Sequence, residues 1–173
     1  SLIIVCSFEG NTITATRGSF ESEQAKKAEE IWNKKYPEVI TIPYGQTELF
    51  EIVYPNNRIV VDYGDVENLY YISTVRNETG EEFFSTFFNP SVKRYDRIKD
   101  YNSLLLLEAP NTEGLVIKFQ SGKRVKIKWD EYKKLHRIIT GVSNRTIWEY
   151  LKDGKPLDEL VEGVPDEFFQ FIK

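Results

Sequence analysis

The residue pattern predicts an α+β protein, with antiparallel sheets and packed helices followed by a short helical C-terminal segment. Three observations carry that prediction. Short runs of alternating apolar and polar residues, rich in β-branched side chains, recur through the first 130 residues. Most are joined by short turns, which favours antiparallel pairing. After residue 130 the apolar spacing lengthens to the helical period, and Gly141, Gly154 and Gly163-Val164-Pro165 punctuate the rest of the chain.

In order, strands are expected at about 2–8, 11–16, 47–54, 58–63, 69–76, 104–108, 114–120 and 123–129. A first helix, about 21–36, has Ser19 or Ser22 as its N-cap and an apolar stripe of Ala25, Ala28, Ile31 and Trp32, and it ends before Pro37. A second, about 91–101, has Ser91 as its cap and Val92, Tyr95 and Ile98 at helical spacing. Beyond 130, Tyr132, Leu135 and Ile139, then Ile147, Trp148 and Leu151, then Leu157, Leu160 and Val161, and finally Phe168, Phe169 and Ile172 form successive short helices. The expected organisation is a body at 1–130 and a helical segment at 131–173. The aromatic pairs Phe83-Phe84 and Phe87-Phe88 are expected to pack in a core.

Composition narrows the function classes. With 40% hydrophobic residues in 173, the chain can bury a core, and a net charge of −4 excludes coating of nucleic acid or of an anionic membrane by bulk charge. No run of 18 apolar residues is present, so no membrane partner is expected and a cytoplasmic setting fits. One cysteine, Cys6, forms no internal disulfide, and with the single His136 it builds no structural zinc site. Cys6 reads as a small core residue and His136 as a surface or helix-stripe residue. The chain has no methionine and opens inside the apolar run Leu2-Ile3-Ile4-Val5, so a missing N-terminal part is expected.

Any contact with phosphate must therefore be local, and the stretch EGLVIKFQSGKRVKIKW at 113–129 offers a place for it. Between 118 and 137 stand eight Lys or Arg against two acids. A two-residue turn at Ser121-Gly122 would set Phe119 opposite Arg124, Ile117 opposite Lys126 and Leu115 opposite Lys128. Glu113 would then share a face with Arg124, Lys126 and Lys128, with Val116, Val125, Ile127 and Trp129 on the apolar side. Two opposite charges 4 Å apart gain about 1 kcal/mol in water and about 4 kcal/mol in a partly shielded site, so fixed lysines in a cleft suit a polyphosphate. A carboxylate beside them suits Mg²⁺, which prefers oxygen ligands. A lysine-lined strand is also what a solvated antiparallel edge looks like.

Taken with TRGSF at 16–20 and LFEIVYPNNRIV at 49–60, the hairpin resembles the adenylyltransferase domain of phage-type ATP-dependent RNA ligases, in the covalent nucleotidyltransferase superfamily. Thr16-Arg17-Gly18-Ser19 resembles the segment after that family's nucleophile motif. Phe50-Glu51 with Asn57-Arg58-Ile59-Val60 resembles its third motif, Glu113-Gly114 its fourth and Lys126-Ile127-Lys128 its fifth. The resemblance spans 1 to about 151, including LHRIITGVSNRTIWEYL, and implies a nucleotidyltransferase (ATP-grasp-like ligase) fold.

It also implies ATP and Mg²⁺ as cofactors and RNA 5′-phosphate and 3′-hydroxyl ends as partners. Lys126 and Lys128 would be catalytic and hold the ATP phosphates, Glu113 would be catalytic and place the metal, Phe50 and Glu51 would sit by the nucleoside, and Arg17 would lie near the nucleotide or the RNA end. In the family a lysine attacks the α-phosphate of ATP, AMP passes to the RNA 5′-phosphate, and a 3′-hydroxyl displaces it. The nucleophile belongs to a KxDG motif that these 173 residues lack. Lys152-Asp153-Gly154 has Leu151 where the lysine would stand and reads as a helix C-capping turn. The chain by itself is therefore expected not to self-adenylylate, and the KxDG is expected just ahead of Ser1. Two other readings stand beside this one: a catalytically silent module that binds nucleotides or RNA ends, and an interaction domain with a solvated lysine edge.

Overall fold

A computed structural model describes residues 1–36, 42–57, 60–95, 98–141, 148–149 and 151–155. Mixed α/β structure with antiparallel sheets is what it shows. Strands β1 (Leu2–Phe8) and β2 (Asn11–Ala15) form a hairpin, helix α1 spans Glu23–Lys35, and β3 (Gln46–Val53), β4 (Asn68–Arg76) and β5 (Glu82–Phe83) complete a five-stranded sheet in the order β2-β1-β3-β4-β5. Helix α2 (Tyr101–Leu105), strands β6 (Gly114–Lys118) and β7 (Arg124–Lys128), and helix α3 (Asp130–Gly141) come next. The chain divides into two compact units: 1–58 with 63–97, and 59–62 with 98–173. That division differs from the expected one at 130/131, because β6, β7 and α3 stand in the same unit.

In the first unit the alternation of β1 and β3 does what period two dictates. Ile3 pairs with Phe50 and Val5 with Glu48, and all four side chains are buried on one face with Ile52, Leu69 and Tyr71. Helix α1 covers this face. Ser22 is its N-cap, accepting from the Ala25 amide at 3.1 Å, and Ala25, Ala28, Ile31 and Trp32 are its buried stripe. Phe50 is fully buried and meets Trp32, Tyr71 and Phe88 with ring centroids 5.7, 5.6 and 5.4 Å away. Each such side chain contributes about 1.5–3 kcal/mol by leaving water, so this aromatic cluster dominates the unit's stability. Cys6 is half-buried on β1 rather than in that core.

One polar chain runs through this apolar interior. The Ser85 amide donates to the Tyr71 hydroxyl at 3.0 Å, Tyr71 to the Thr74 hydroxyl at 2.6 Å, and Thr74 to the Glu48 carboxyl at 2.5 Å. With the Glu48 carboxyl ionised, Thr74 gives its proton to Glu48 and Tyr71 gives its own to Thr74. Glu48 is only 3% exposed; burial pushes its carboxyl above the ordinary range, and the Thr74 hydrogen bond offsets part of the rise.

Three expected elements are corrected. The helix expected at 91–101 is not formed at its start: Ser91 bridges Tyr71 in parallel, Tyr71 N–H donating to Pro90 O at 2.9 Å and Val92 N–H to Tyr71 O at 2.8 Å. Those bonds to the β4 edge take the place of the first helical turn, and the helix starts only at Tyr101, capped by Asp100 accepting from Ser103 N–H at 2.8 Å. The run expected as a strand at 104–108 is the end of α2 and the turn after it, with Leu104 pointing into the second core. Residues 60–63 form no strand; Val60 and Val61 are buried in the second unit.

The second unit's core is smaller: Val60, Val61, Leu104, Trp129, Tyr132 and Leu135, with Leu115, Ile117 and Ile127 of the hairpin packed against them. Helix α3 is where the sequence places it, and its Tyr132 and Leu135 are the inward residues. Residues 151–154 form the expected helix end, Asp153 N–H donating to Glu149 O and Gly154 N–H to Leu151 O. Pro37, Arg58 and Ile59, Ile147, and the helices expected after 156 lie outside the described residues.

Candidate phosphate-binding hairpin

Strands β6 and β7 pair antiparallel with Lys118 opposite Arg124, Ile117 opposite Val125, Val116 opposite Lys126, Leu115 opposite Ile127 and Gly114 opposite Lys128. This is one residue away from the register expected of a Ser121-Gly122 turn. The loop has three residues: Phe119 N–H donates to Lys123 O, and Gly122 N–H donates to Phe119 O, both at 2.9 Å, with Gly122 at φ +82°. A two-residue hairpin turn needs positive φ at its first central residue, which Ser121 does not adopt, whereas the three-residue form needs it only at Gly122.

The shift exchanges the faces on β6. Leu115 and Ile117 join Ile127 against the core, and Val116, expected on the apolar side, is 64% exposed beside the lysines. On regular alternation Glu113 would go with Leu115 to the apolar side. It does not, because Gly114 has φ +150° and breaks the alternation where the strand begins. A Cβ at Gly114 would lie 1.9 Å from the Ile127 carbonyl oxygen, so no other residue fits this turn of the backbone. The Glu113 main chain stays tied to the sheet, accepting from Trp129 N–H at 3.1 Å.

The Glu113 carboxylate therefore lies between two ammonium groups, 2.6 Å from Lys126 Nζ and 3.1 Å from Lys128 Nζ. Partial burial pushes the carboxyl up, but the two lysines outweigh it and hold it below the ordinary range. Lys128 also lies over the Tyr132 ring, 4.9 Å from its centroid. Burial raises the Tyr132 phenol, and the Glu113 charge raises it further. The His136 ring lies 5.8 Å from that of Tyr132, tilted by 35°, at a helix-stripe position as expected. All three charged side chains remain more than a third exposed, so the pairs contribute at most about 1 kcal/mol each to stability. One carboxylate against two cations leaves a net positive, solvent-facing group set on a fixed backbone.

The other expected residues belong to the first unit and are not gathered in one place. Phe50 is a core residue with 0% exposure, so its ring offers no face to a nucleoside. Glu51 points to the opposite face of β3 and accepts from the Ser1 amino group at 2.5 Å. Arg17 is exposed in the tight turn closed by Thr16 and Ser19. A cleft of about 320 Å³ in this unit is lined by Glu30, Ile31, Lys34, Lys35, Glu67 and Asn68. Its two lysines, Lys34 and Lys35, are balanced by Glu30 and Glu67, so it does not present a net positive group set as the hairpin does.

Sequence reasoning missed Tyr132 as a neighbour of the cluster. Its helical spacing from Trp129 and Leu135 marks it for the core, and only the packed structure shows that its ring underlies Lys128. It also missed that Phe84 and Phe87 are exposed, 37% and 62%, while Phe88 alone of the two pairs is buried. Among the described residues no group of three or more His, Cys, Asp or Glu side chains could enclose a metal, and no helix is long and apolar enough to cross a membrane. No protein-family model matches the chain.

Proposed function

We propose that the chain carries the phosphate-binding part of an ATP-dependent RNA ligase of the nucleotidyltransferase type, acting in the cytoplasm on RNA 5′-phosphate and 3′-hydroxyl ends. The observation that carries this reading is the clamp of Glu113 by Lys126 and Lys128 on the exposed face of a hairpin whose other face is packed. Two lysines anchored in this way lose little further freedom on meeting a phosphate chain, and each gains about 1 to 4 kcal/mol as the site is shielded. Glu113 is the carboxylate that would take Mg²⁺, sharing it with nucleotide oxygens and water, which is how this ion is ordinarily held when only one or two carboxylates are at hand. Bound there, Mg²⁺ would neutralise charge on the phosphates. Lys126 and Lys128 would supply fixed positive charge where negative charge develops.

The family's nucleophile is absent from residues 1–173, which favours, for this chain alone, nucleotide binding without self-adenylylation. Calorimetric titration with MgATP tests the reading. The expected result is binding that falls at least tenfold, about 1.4 kcal/mol, in the double variant Lys126→Ala/Lys128→Ala, with the melting temperature nearly unchanged. Equal affinity in both proteins would leave the lysines as a solvated edge and defeat the proposal. Incubation with α-labelled ATP is expected to leave the chain unlabelled.

A further inference from the structure

We infer that the segment Phe84–Tyr95 of the first unit is a binding surface for single-stranded RNA. Between Phe83 and Tyr95 the sequence has two cations, Lys93 and Arg94, and no acid. Its exposed side chains are stacking groups and cations together: Phe87 is 62% exposed, Tyr95 40% and Phe84 37%. The Arg94 guanidinium lies 4.4 Å from the centroid of Phe84 and donates to the Ile72 carbonyl at 3.3 Å, and the residue is exposed. Lys93 Nζ lies 5.0 Å from the centroid of Tyr95.

The backbone beneath is fixed. Pro90 and Val92 are bonded to Tyr71 on β4, the Ser85 amide to the Tyr71 hydroxyl, and Phe88 is packed in the core. Phe84 and Phe88 both lie against Tyr71, with centroids 5.2 and 5.1 Å away, and Phe87 meets Phe88 edge-on at 5.1 Å. Phe84 is thus held directly against the buried Tyr71, and Phe87 through Phe88. Exposed rings occur elsewhere too, as at Phe8, Phe20 and Tyr44, and what sets this segment apart is that Lys93 and Arg94 lie on its rings with no acid among them. Aromatic faces for bases, with cations beside them for the phosphodiester backbone, are what a single strand requires, and they read no particular sequence. A duplex would hide its base faces, so the partner is single-stranded.

The surface is argued from residues other than those of the nucleotide reading, and the choice of RNA over DNA rests on that reading; in the variants below the two fail separately. The test is fluorescence anisotropy of a labelled oligouridylate RNA of about 12 nucleotides against the full chain over a range of salt. Phe87→Ala and Phe84→Ala are each expected to weaken binding about tenfold. Arg94→Ala is expected to weaken it and to reduce the slope of log affinity against log salt by about 0.7. Phe87→Trp is expected to keep the affinity, and Phe87→Leu, equally apolar but without a π-face, to lose it. MgATP affinity should stay as in the parent in all these variants, which separates this surface from Lys126 and Lys128. Unchanged RNA affinity in Phe87→Ala/Arg94→Ala, or full affinity in Phe87→Leu, overturns the inference. So does self-association that Phe87→Ala abolishes with no change in RNA binding.

Discussion

The five-stranded sheet of the first unit and the two-stranded hairpin of the second use the same alternation to opposite ends. On the inward face of the sheet, apolar side chains of β1, β3 and β4 meet α1, and even the one acid there, Glu48, is buried in a hydrogen-bonded chain. In the hairpin one face packs on a small core and the other holds Glu113, Lys126 and Lys128 at solvent. The difference teaches where function can be placed: charge that contributes little to folding can be kept for a ligand, whereas charge in the core is bound up in stability.

The contrast can be broken or sharpened by substitution, and the largest effect is expected in the sheet. Phe50→Ala removes a fully buried ring at the centre of the aromatic cluster and should cost about 3–5 kcal/mol in urea unfolding monitored by Trp32 emission. A loss below about 1 kcal/mol would contradict its place in the core.

Next comes the backbone of the hairpin. Gly114→Ala sets a methyl against the Ile127 carbonyl and should cost about 1–3 kcal/mol, seen as a shift in Trp129 emission and in the thermal transition. MgATP affinity should fall with it, because the break that turns Glu113 toward the lysines is lost. Full stability in this variant would mean that the break in alternation forms without glycine.

Glu48 gives a smaller effect with a defined pH dependence. Its folded pKa is raised, so the neutral acid's share of stability is complete below the ordinary glutamate value of 4.5 and is lost as pH rises through the higher folded value. Glu48→Gln keeps a neutral acceptor for Thr74 and should exceed the parent by about 1 kcal/mol above that window, with the two curves converging in acid. Parallel curves at all pH values would show that folding does not raise the Glu48 pKa.

The smallest effect is expected of Glu113→Gln. Its folded pKa is depressed, so its share of stability is present above 4.5 and is lost as pH falls through the lower folded value. At this exposure the loss should be under about 1 kcal/mol by thermal melting, while the Mg²⁺ dependence of ATP binding should weaken visibly.

Particular residues show what could be read in advance. Strand β1 and helix α1 with its Ser22 cap arise from local rules, since alternation, an N-cap oxygen and an apolar stripe each act within a few residues. The helix expected at 91–101 failed because Tyr71, twenty residues earlier, takes up Pro90 and Val92 as partners. Phe83-Phe84 and Phe87-Phe88 read as core from composition, yet only Phe88 is enclosed, because pairing of β5 and of Ser91 with β4 fixes the connecting segment at the sheet edge. The grouping of Glu113 with Lys126 and Lys128 was legible, although by a register that the structure replaces.

By itself the sequence determined the antiparallel α+β character, the capped helix α1, the hairpin at 113–129 and the identity of its charged residues, because periodicity and capping act within short stretches. The tertiary structure alone decided the pairing register, the exposure of Phe84 and Phe87, and the burial of Phe50 and Glu48. Each of these depends on which distant backbone or side chain arrives as a neighbour. At Gly122 and Gly114 it depends on positive φ values that glycine permits and only the packed hairpin selects.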